Sequence, residues 1–206
     1  MKQIYLDGEP VTFPDEPPKD LATLLAVLTQ HLAQSGRYVA EFYVDDVDLL
    51  NAYFDSAPKQ YVVIKAVSAP QQEFYKRLVK GRIVYIEELA DTLTEFSKRV
   101  LVSPWREAIS ELNQCIQRFT LFVDVIDELK SFVEQNKTAP WAKSLEILVT
   151  EYERYLASLP EAIEKADVAK VSDILACEVV PMMQKCQKWL REDVLPYFEK
   201  QANSLN

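Results

Sequence analysis

The chain has 206 residues, a formal net charge of −9, and 49% hydrophobic against 27% charged residues. That apolar fraction belongs to a globular chain with a real core, and the length suits one large domain or two small ones. The acidic balance argues against nucleic acid or an anionic membrane surface as the main partner, since both call for clustered Lys and Arg. There are only three glycines, Gly8, Gly36 and Gly81. Phosphate-cradling and dinucleotide turns need several glycines close together, so nucleotide chemistry of the common kinds is not expected. No apolar stretch flanked by Lys or Arg opens the chain, and no run is long enough to span a bilayer. Three cysteines, an odd number in helix-like sequence, fit reduced thiols in a cytoplasm.

Residues 1–69 read as a small mixed domain. Lys2–Leu6 alternates, Asp7-Gly8 signals a turn, and Val11–Phe13 returns as a second strand. Asp20 is a helix N-cap, followed by Leu21, Leu24, Leu25, Leu28 and Leu32 at helical spacing, with Gly36 as the stop. Arg37–Val44 alternates, placing Tyr38, Ala40, Phe42 and Val44 on one face. Asn51–Ser56 reads as a short helical turn and Tyr61–Val67 as an inner strand. The order ββαββ is that of β-grasp, or ubiquitin-like, domains. A conjugated-modifier role is not expected, because the last strand runs on into helix and the final residues are Ser204-Leu205-Asn206 rather than Gly-Gly.

Residues 70–206 carry helical periods throughout. Leu89, Leu93, Phe96 and Val100 form one stripe; Leu112, Ile116, Phe119, Val123 and Ile126 form the next. Ser103-Pro104 reads as N-cap plus first-turn proline between them. Gly81 marks a break point in the first long helix. Trp141, Leu145, Leu148, Tyr152, Tyr155 and Leu159 give a third stripe, and a last helical region spans Val168 to Ala202 with Pro181 and Pro196 inside it. Spacings near 3.5 joined by short breaks predict an all-α antiparallel bundle of four or five helices. No short internal repeat is evident.

The bundle invites a di-iron reading, which needs a Glu-x-x-His pair on each of two helices. The only histidine, His31, lies outside the bundle and reads as structural. The cysteines form no CxxC, and Cys115 and Cys186 read as core thiols. No metal, cofactor or catalytic set is implied. Glu178 stands out because a regular helix of about 100° per residue puts it in line with Val171, Met182 and Trp189. An acid on an apolar stripe must be paired, hydrogen-bonded or protonated. Arg82, between Val79 and Ile86, is the candidate partner, and a buried pair would make Glu178→Ala cost about 3–5 kcal/mol. Pro181 lacks an N–H and predicts a kink beside Glu178. Aromatics crowd the N-terminal segment, and Phe42, Tyr43, Tyr53 and Phe54 are candidate interface residues.

Asp173-Ile174-Leu175, Glu178-Val179-Val180-Pro181-Met182 and Trp189-Leu190 resemble the C-terminal signature of an uncharacterised bacterial family. Residues Gly81 to Leu129 and the opening Tyr5 to Gly8 are similar too, while Cys177 departs from the bulky residue that pattern has there. The resemblance implies a small α+β domain, a helical bundle and the Glu-x-x-Pro helix, and no activity. The function expected is that of a non-enzymatic cytoplasmic protein-binding or adaptor module, acting on a protein partner or on a second copy. Two alternatives are a small-molecule sensor or enzyme using Glu178, and a chaperone for an export or flagellar subunit.

Overall fold

The computed structural model describes residues 3–13, 16–18, 20–50 and 62–203. A five-stranded mixed sheet lies near the N-terminus and helices follow it. The chain divides into two compact units. One holds residues 1–78 and 197–206, the other residues 79–196. The division between the units falls inside a helix, and the last residues belong with the first unit.

In the first unit, β1 (Gln3–Leu6) turns through Asp7-Gly8 into the short β2 (Glu9–Pro10). Both turn residues have positive φ, 53° and 86°, the combination that a two-residue hairpin requires. Helix α1 (Leu21–Ala33) starts where expected, with the Asp20 carboxylate accepting from the Thr23 N–H at 2.8 Å. β3 (Arg37–Val44) reverses through Asp45-Asp46 into β4 (Val47–Asp48). Those aspartates also take positive φ, which short polar side chains tolerate. β5 (Val63–Pro70) completes the sheet in the order β2-β1-β5-β3-β4, parallel to β1 and antiparallel to β3. The turn expected at Asn51–Ser56 lies outside the described residues.

The face of β3 differs from simple alternation. A bulge shifts the register between Val39 and Glu41. Two residues there oppose one on β5, so Val39 joins Phe42 and Val44 beneath α1, and Tyr38 moves to the other side. Leu21, Leu24, Leu28 and Leu32 of α1 close that core against Ile4, Ile64 and Ala66. Helix α2 (Gln71–Arg99) begins directly after β5. Its first turn stacks Phe74 on Tyr38 at 5.1 Å, and Arg77 pairs with Glu41 at 2.5 Å. Tyr75 stacks on Phe198 at 5.2 Å, which ties the last helical residues to this unit.

The second unit is helical. α2 runs unbroken through Gly81. α3 (Trp105–Gln135) is capped by Pro104, with no side-chain cap. Ser103 instead donates its hydroxyl to the Arg99 carbonyl and closes the end of α2. α4 (Ala142–Glu164) follows, then α5 (Val168–Ile174), α6 (Val180–Trp189) and α7 (Leu195–Asn203), joined end to end by π-turns at Leu175–Val179 and Leu190–Val194. Cross-helix contacts fix the directions. Tyr85 donates to the Arg118 carbonyl and Arg99 pairs with Glu111, so α2 and α3 run oppositely. Phe122 meets Tyr152 and Phe132 meets Trp141, which does the same for α3 and α4. Ser172 bonds the Ser97 carbonyl and Gln187 bonds that of Ile83, so the last helical run is opposed to α2.

The two π-turns share a cause. Pro181 and Pro196 have no N–H and their rings crowd the carbonyl four residues back, on Cys177 and Glu192. In both places the residue before the proline reaches back five residues: Val180 N–H to the Leu175 carbonyl, and Leu195 N–H to that of Leu190. The local sequences, Leu-Ala-Cys-Glu-Val-Val-Pro and Leu-Arg-Glu-Asp-Val-Leu-Pro, recur fifteen residues apart. This is a repeat that hydrophobic stripes alone do not reveal.

Three central strands are tied by one polar knot. Arg37 Nε donates to Ser68 Oγ at 2.7 Å, and Ser68 donates its hydroxyl and its N–H to Asp7 at 2.5 and 2.7 Å. Burial pushes the Asp7 carboxyl up, but the two Ser68 bonds and the Arg37 charge together hold it below its ordinary value. A depressed carboxyl stabilises the fold above its unfolded pKa, and that contribution is lost as pH falls through the folded value. Asp7→Asn is therefore expected to cost about 1–2 kcal/mol at neutral pH. Denaturant melts between pH 7 and pH 2 should show the wild-type advantage vanishing at the acid end.

Candidate functional site

The first π-turn forms one wall of a cavity of about 210 Å³ inside the helical unit. Leu175 and Val179 line it from the turn, Leu93 from α2, and Leu159, Pro160 and Ile163 from the end of α4. α3 supplies Leu112, Cys115, Ile116 and Phe119. Among the described residues no lining side chain is charged, and the Cys115 thiol is the only one that can form even a weak hydrogen bond. Leu175 and Val179 are themselves buried, 2% exposed each. Ile116 is 43% exposed although it sits on the stripe expected to be buried. It marks the mouth.

The site residues expected from sequence fall differently. Glu178 is half-buried and has no ion-pair partner among the described residues. The wheel reading assumed a regular helix. The π-turn inserts a residue and rotates Glu178 away from the stripe that Leu175, Val179 and Met182 share. Arg82 is buried, 4% exposed, as its register requires. The structure does not bring it to Glu178. Its guanidinium lies 5.9 Å from the Tyr85 ring centre, a ring that Arg118 approaches at the same distance. Its charge acts on Asp124 of α3, whose carboxyl is raised by burial and lowered in part by Arg82. Pro181 comes two residues after the π-turn, inside a continuous helical run.

The candidate interface aromatics also separate. Phe42 is fully buried in the core beneath α1, so it is no surface residue. Tyr43 is half-buried on the other face, where burial and the neighbouring Glu41 and Asp48 charges raise its hydroxyl pKa. Tyr53 and Phe54 lie outside the described residues. His31 is exposed in the last turn of α1. Among the described residues no group of three or more His, Cys, Asp or Glu is placed to hold a metal ion, and no helix is long and apolar enough to cross a membrane.

The cavity was not visible from hydrophobic spacing, because every residue lining it also reads as ordinary core. The recurrence before Pro181 and Pro196 is the signal that would have located its π-turn wall.

A second feature lies in the first unit. Helix α1 contains no Asp, Glu, Lys or Arg in thirteen residues, in a chain that is 27% charged. Its outward face presents Ala22, Leu25, Ala26, Thr29, Gln30 and Ala33. That face runs the length of the helix beside the buried leucines, with Leu25 at its edge packed against their core.

Compared with protein-family models, curated proteins and solved structures, the chain matches none.

Two outcomes follow from these placements. Glu178→Ala should cost under about 1 kcal/mol, as surface substitutions do, whereas Arg82→Ala should cost about 3 kcal/mol because it empties a buried, packed position beside the Tyr85 ring. Paired chemical denaturation curves compare them. The thiols should also separate by accessibility. Cys177 is exposed, whereas Cys115 is buried and raised, and burial pushes Cys186 up to about 12. A chromogenic disulfide reagent at neutral pH should titrate one thiol rapidly in the native protein and the other two only on unfolding.

Proposed function

We propose that this protein is a non-enzymatic protein–protein interaction module: a β-grasp domain followed by an antiparallel four-helix bundle, associating with a second copy of itself through α1. The charge-free outward face of α1 carries the proposal. A chain of net charge −9 repels its own copies wherever its acidic side chains face each other. On this helix there is no such charge. Ala22, Ala26, Thr29 and Ala33 are small enough to let two helix backbones approach, and Leu25 supplies apolar area at the flank. Pairing the same patch on both copies closes a two-fold dimer and leaves no open surface for further addition.

The finer fold assignment belongs to the same proposal. Support for β-grasp is the order β2-β1-β5-β3-β4, the parallel central pair β1 and β5, and the single helix α1 packed over one face. Support for a four-helix bundle is the set of opposed contacts around α2, α3, α4 and the last helical run. Three free cysteines support a reducing, cytoplasmic setting, and the bacterial family resemblance of the Glu178–Pro181 segment is compatible with a binding role.

Light scattering after size-exclusion chromatography, run over a concentration series, tests the association. The wild type should shift from monomer to dimer mass as concentration rises. Ala26→Glu places a carboxylate on the exposed face without touching the core, and should hold the protein monomeric with an unchanged melting temperature. A wild type that stays monomeric throughout, or a variant that dimerises equally well, overturns the proposal.

A further inference from the structure

We propose that the cavity beside the first π-turn is a binding site for a small, uncharged, apolar molecule, of the size of one substituted aromatic ring or a bicyclic ring such as indole. Size, lining and access each bear on this.

The volume sets the scale. An apolar protein cavity of about 150 Å³ stays dry and admits benzene. The present cavity, at about 210 Å³, has room for a ring and a further group. It is too small for a nucleotide or a long acyl chain, since sites for drug-sized ligands start near 300 Å³.

The lining sets the chemistry. Among the described residues no charged or amide side chain faces the space, so a carboxylate, phosphate or ammonium group would be stripped of water and left unpaired. The ligand is therefore neutral. A single weak polar contact is available from the Cys115 thiol, which could meet one ring hydroxyl or N–H.

The access route is visible at the rim. Ile116 of α3 is 43% exposed and Pro160 of α4 is exposed too, while the other α3 liners, Leu112, Cys115 and Phe119, are buried. A half-exposed isoleucine on a buried stripe gives the cavity an opening to solvent. The opposite wall is the π-turn, whose residues Leu175 and Val179 are held in place by the register that Pro181 imposes. Turns of this type occur frequently at functional sites.

The inference stands apart from the α1 interface, which lies in the other unit. Either can fail alone.

Indole and toluene are the probes, with benzoate as the charged control. Titrations followed by ligand-observed NMR should show saturable one-to-one binding of indole and toluene, and at least tenfold weaker binding of benzoate. Nuclear Overhauser contacts from bound indole should reach the methyl groups of Val179 and Ile116 in the wild type, which needs no variant to fold. Ile116→Trp should fill the mouth at a half-exposed position that tolerates a larger side chain, and should weaken indole binding at least tenfold with the melting transition kept. Non-saturating indole signals, contacts that map elsewhere, equal binding of benzoate, or undiminished binding in a folded Ile116→Trp protein each overturn the inference.

Discussion

Two missing N–H groups shape the C-terminal half of this molecule. Pro181 and Pro196 cannot donate to the carbonyls four residues before them, and their rings push against those carbonyls. A helix can respond by widening one turn so that the preceding residue bonds five residues back, and such a turn is itself a frequent cause of a kink. Here it widens, at Leu175–Val179 and again at Leu190–Val194. The helical run from Val168 to Asn203 survives both interruptions. Each widening adds a residue to the turn, and so resets the face on which every later side chain emerges. Leu175 and Val179 come to line the cavity, Met182, Met183 and Cys186 stay buried beyond it, and Glu178 is left half-buried at the side. One local steric conflict accounts for the cavity wall and for the absence of the acid–base pair that the helical wheel called for.

The sheet unit solves a comparable problem with a bulge. β3 has to cover α1's leucines on one side and meet aromatic side chains from α2 on the other. Plain alternation would send Tyr38 to the same side as Phe42. The extra residue between Val39 and Glu41 reverses that, so Val39, Phe42 and Val44 pack under α1 while Tyr38 and Glu41 meet Phe74 and Arg77. The knot of Asp7, Ser68 and Arg37 then links β1, β5 and β3 near this irregular end of the sheet. Asp7 does two jobs. Its backbone takes the positive φ of a hairpin turn and its carboxylate satisfies the buried Ser68.

Local signals carried much of this layout. The Asp20 cap, the leucine spacing of α1, the Asp7-Gly8 turn, the span of β3 and the start of a helix at Gln71 all follow from rules that act within a few residues. The stripe Leu89, Leu93, Phe96 and Val100 is buried as its spacing requires. What spacing could not give were changes of period. The bulge in β3 and the π-turns each insert one residue, and a reading at fixed period is wrong from that residue onward. Arg82 shows a second limit. Its buried register is legible, but a partner on another helix depends on the crossing geometry, and Asp124 on α3 is among the groups that feel its charge. The division into compact units was not legible for a similar reason. Pro70 ends the strand period, yet α2's first turns and Phe198 pack with the sheet unit, and no local signal marks that.

Apolar surface left uncovered costs free energy, and two of the places where the described residues retain it differ in kind. The α1 face is shallow, long and lined by small side chains, and such a surface recovers its cost only when another extended surface lies flat on it. The cavity is concave and narrow, and gains more contact per atom from a compact molecule that enters it than from anything laid across its mouth. Charge sharpens the distinction. With 32 acidic residues in the chain, the lack of any on thirteen consecutive residues of α1 lowers the repulsion between copies at that one helix. Inside the cavity the same lack of charge excludes ionic ligands instead. One property of the sequence, the local absence of ionisable side chains, thus underlies both proposals, a flat macromolecular surface in the first unit and a small neutral ligand in the second.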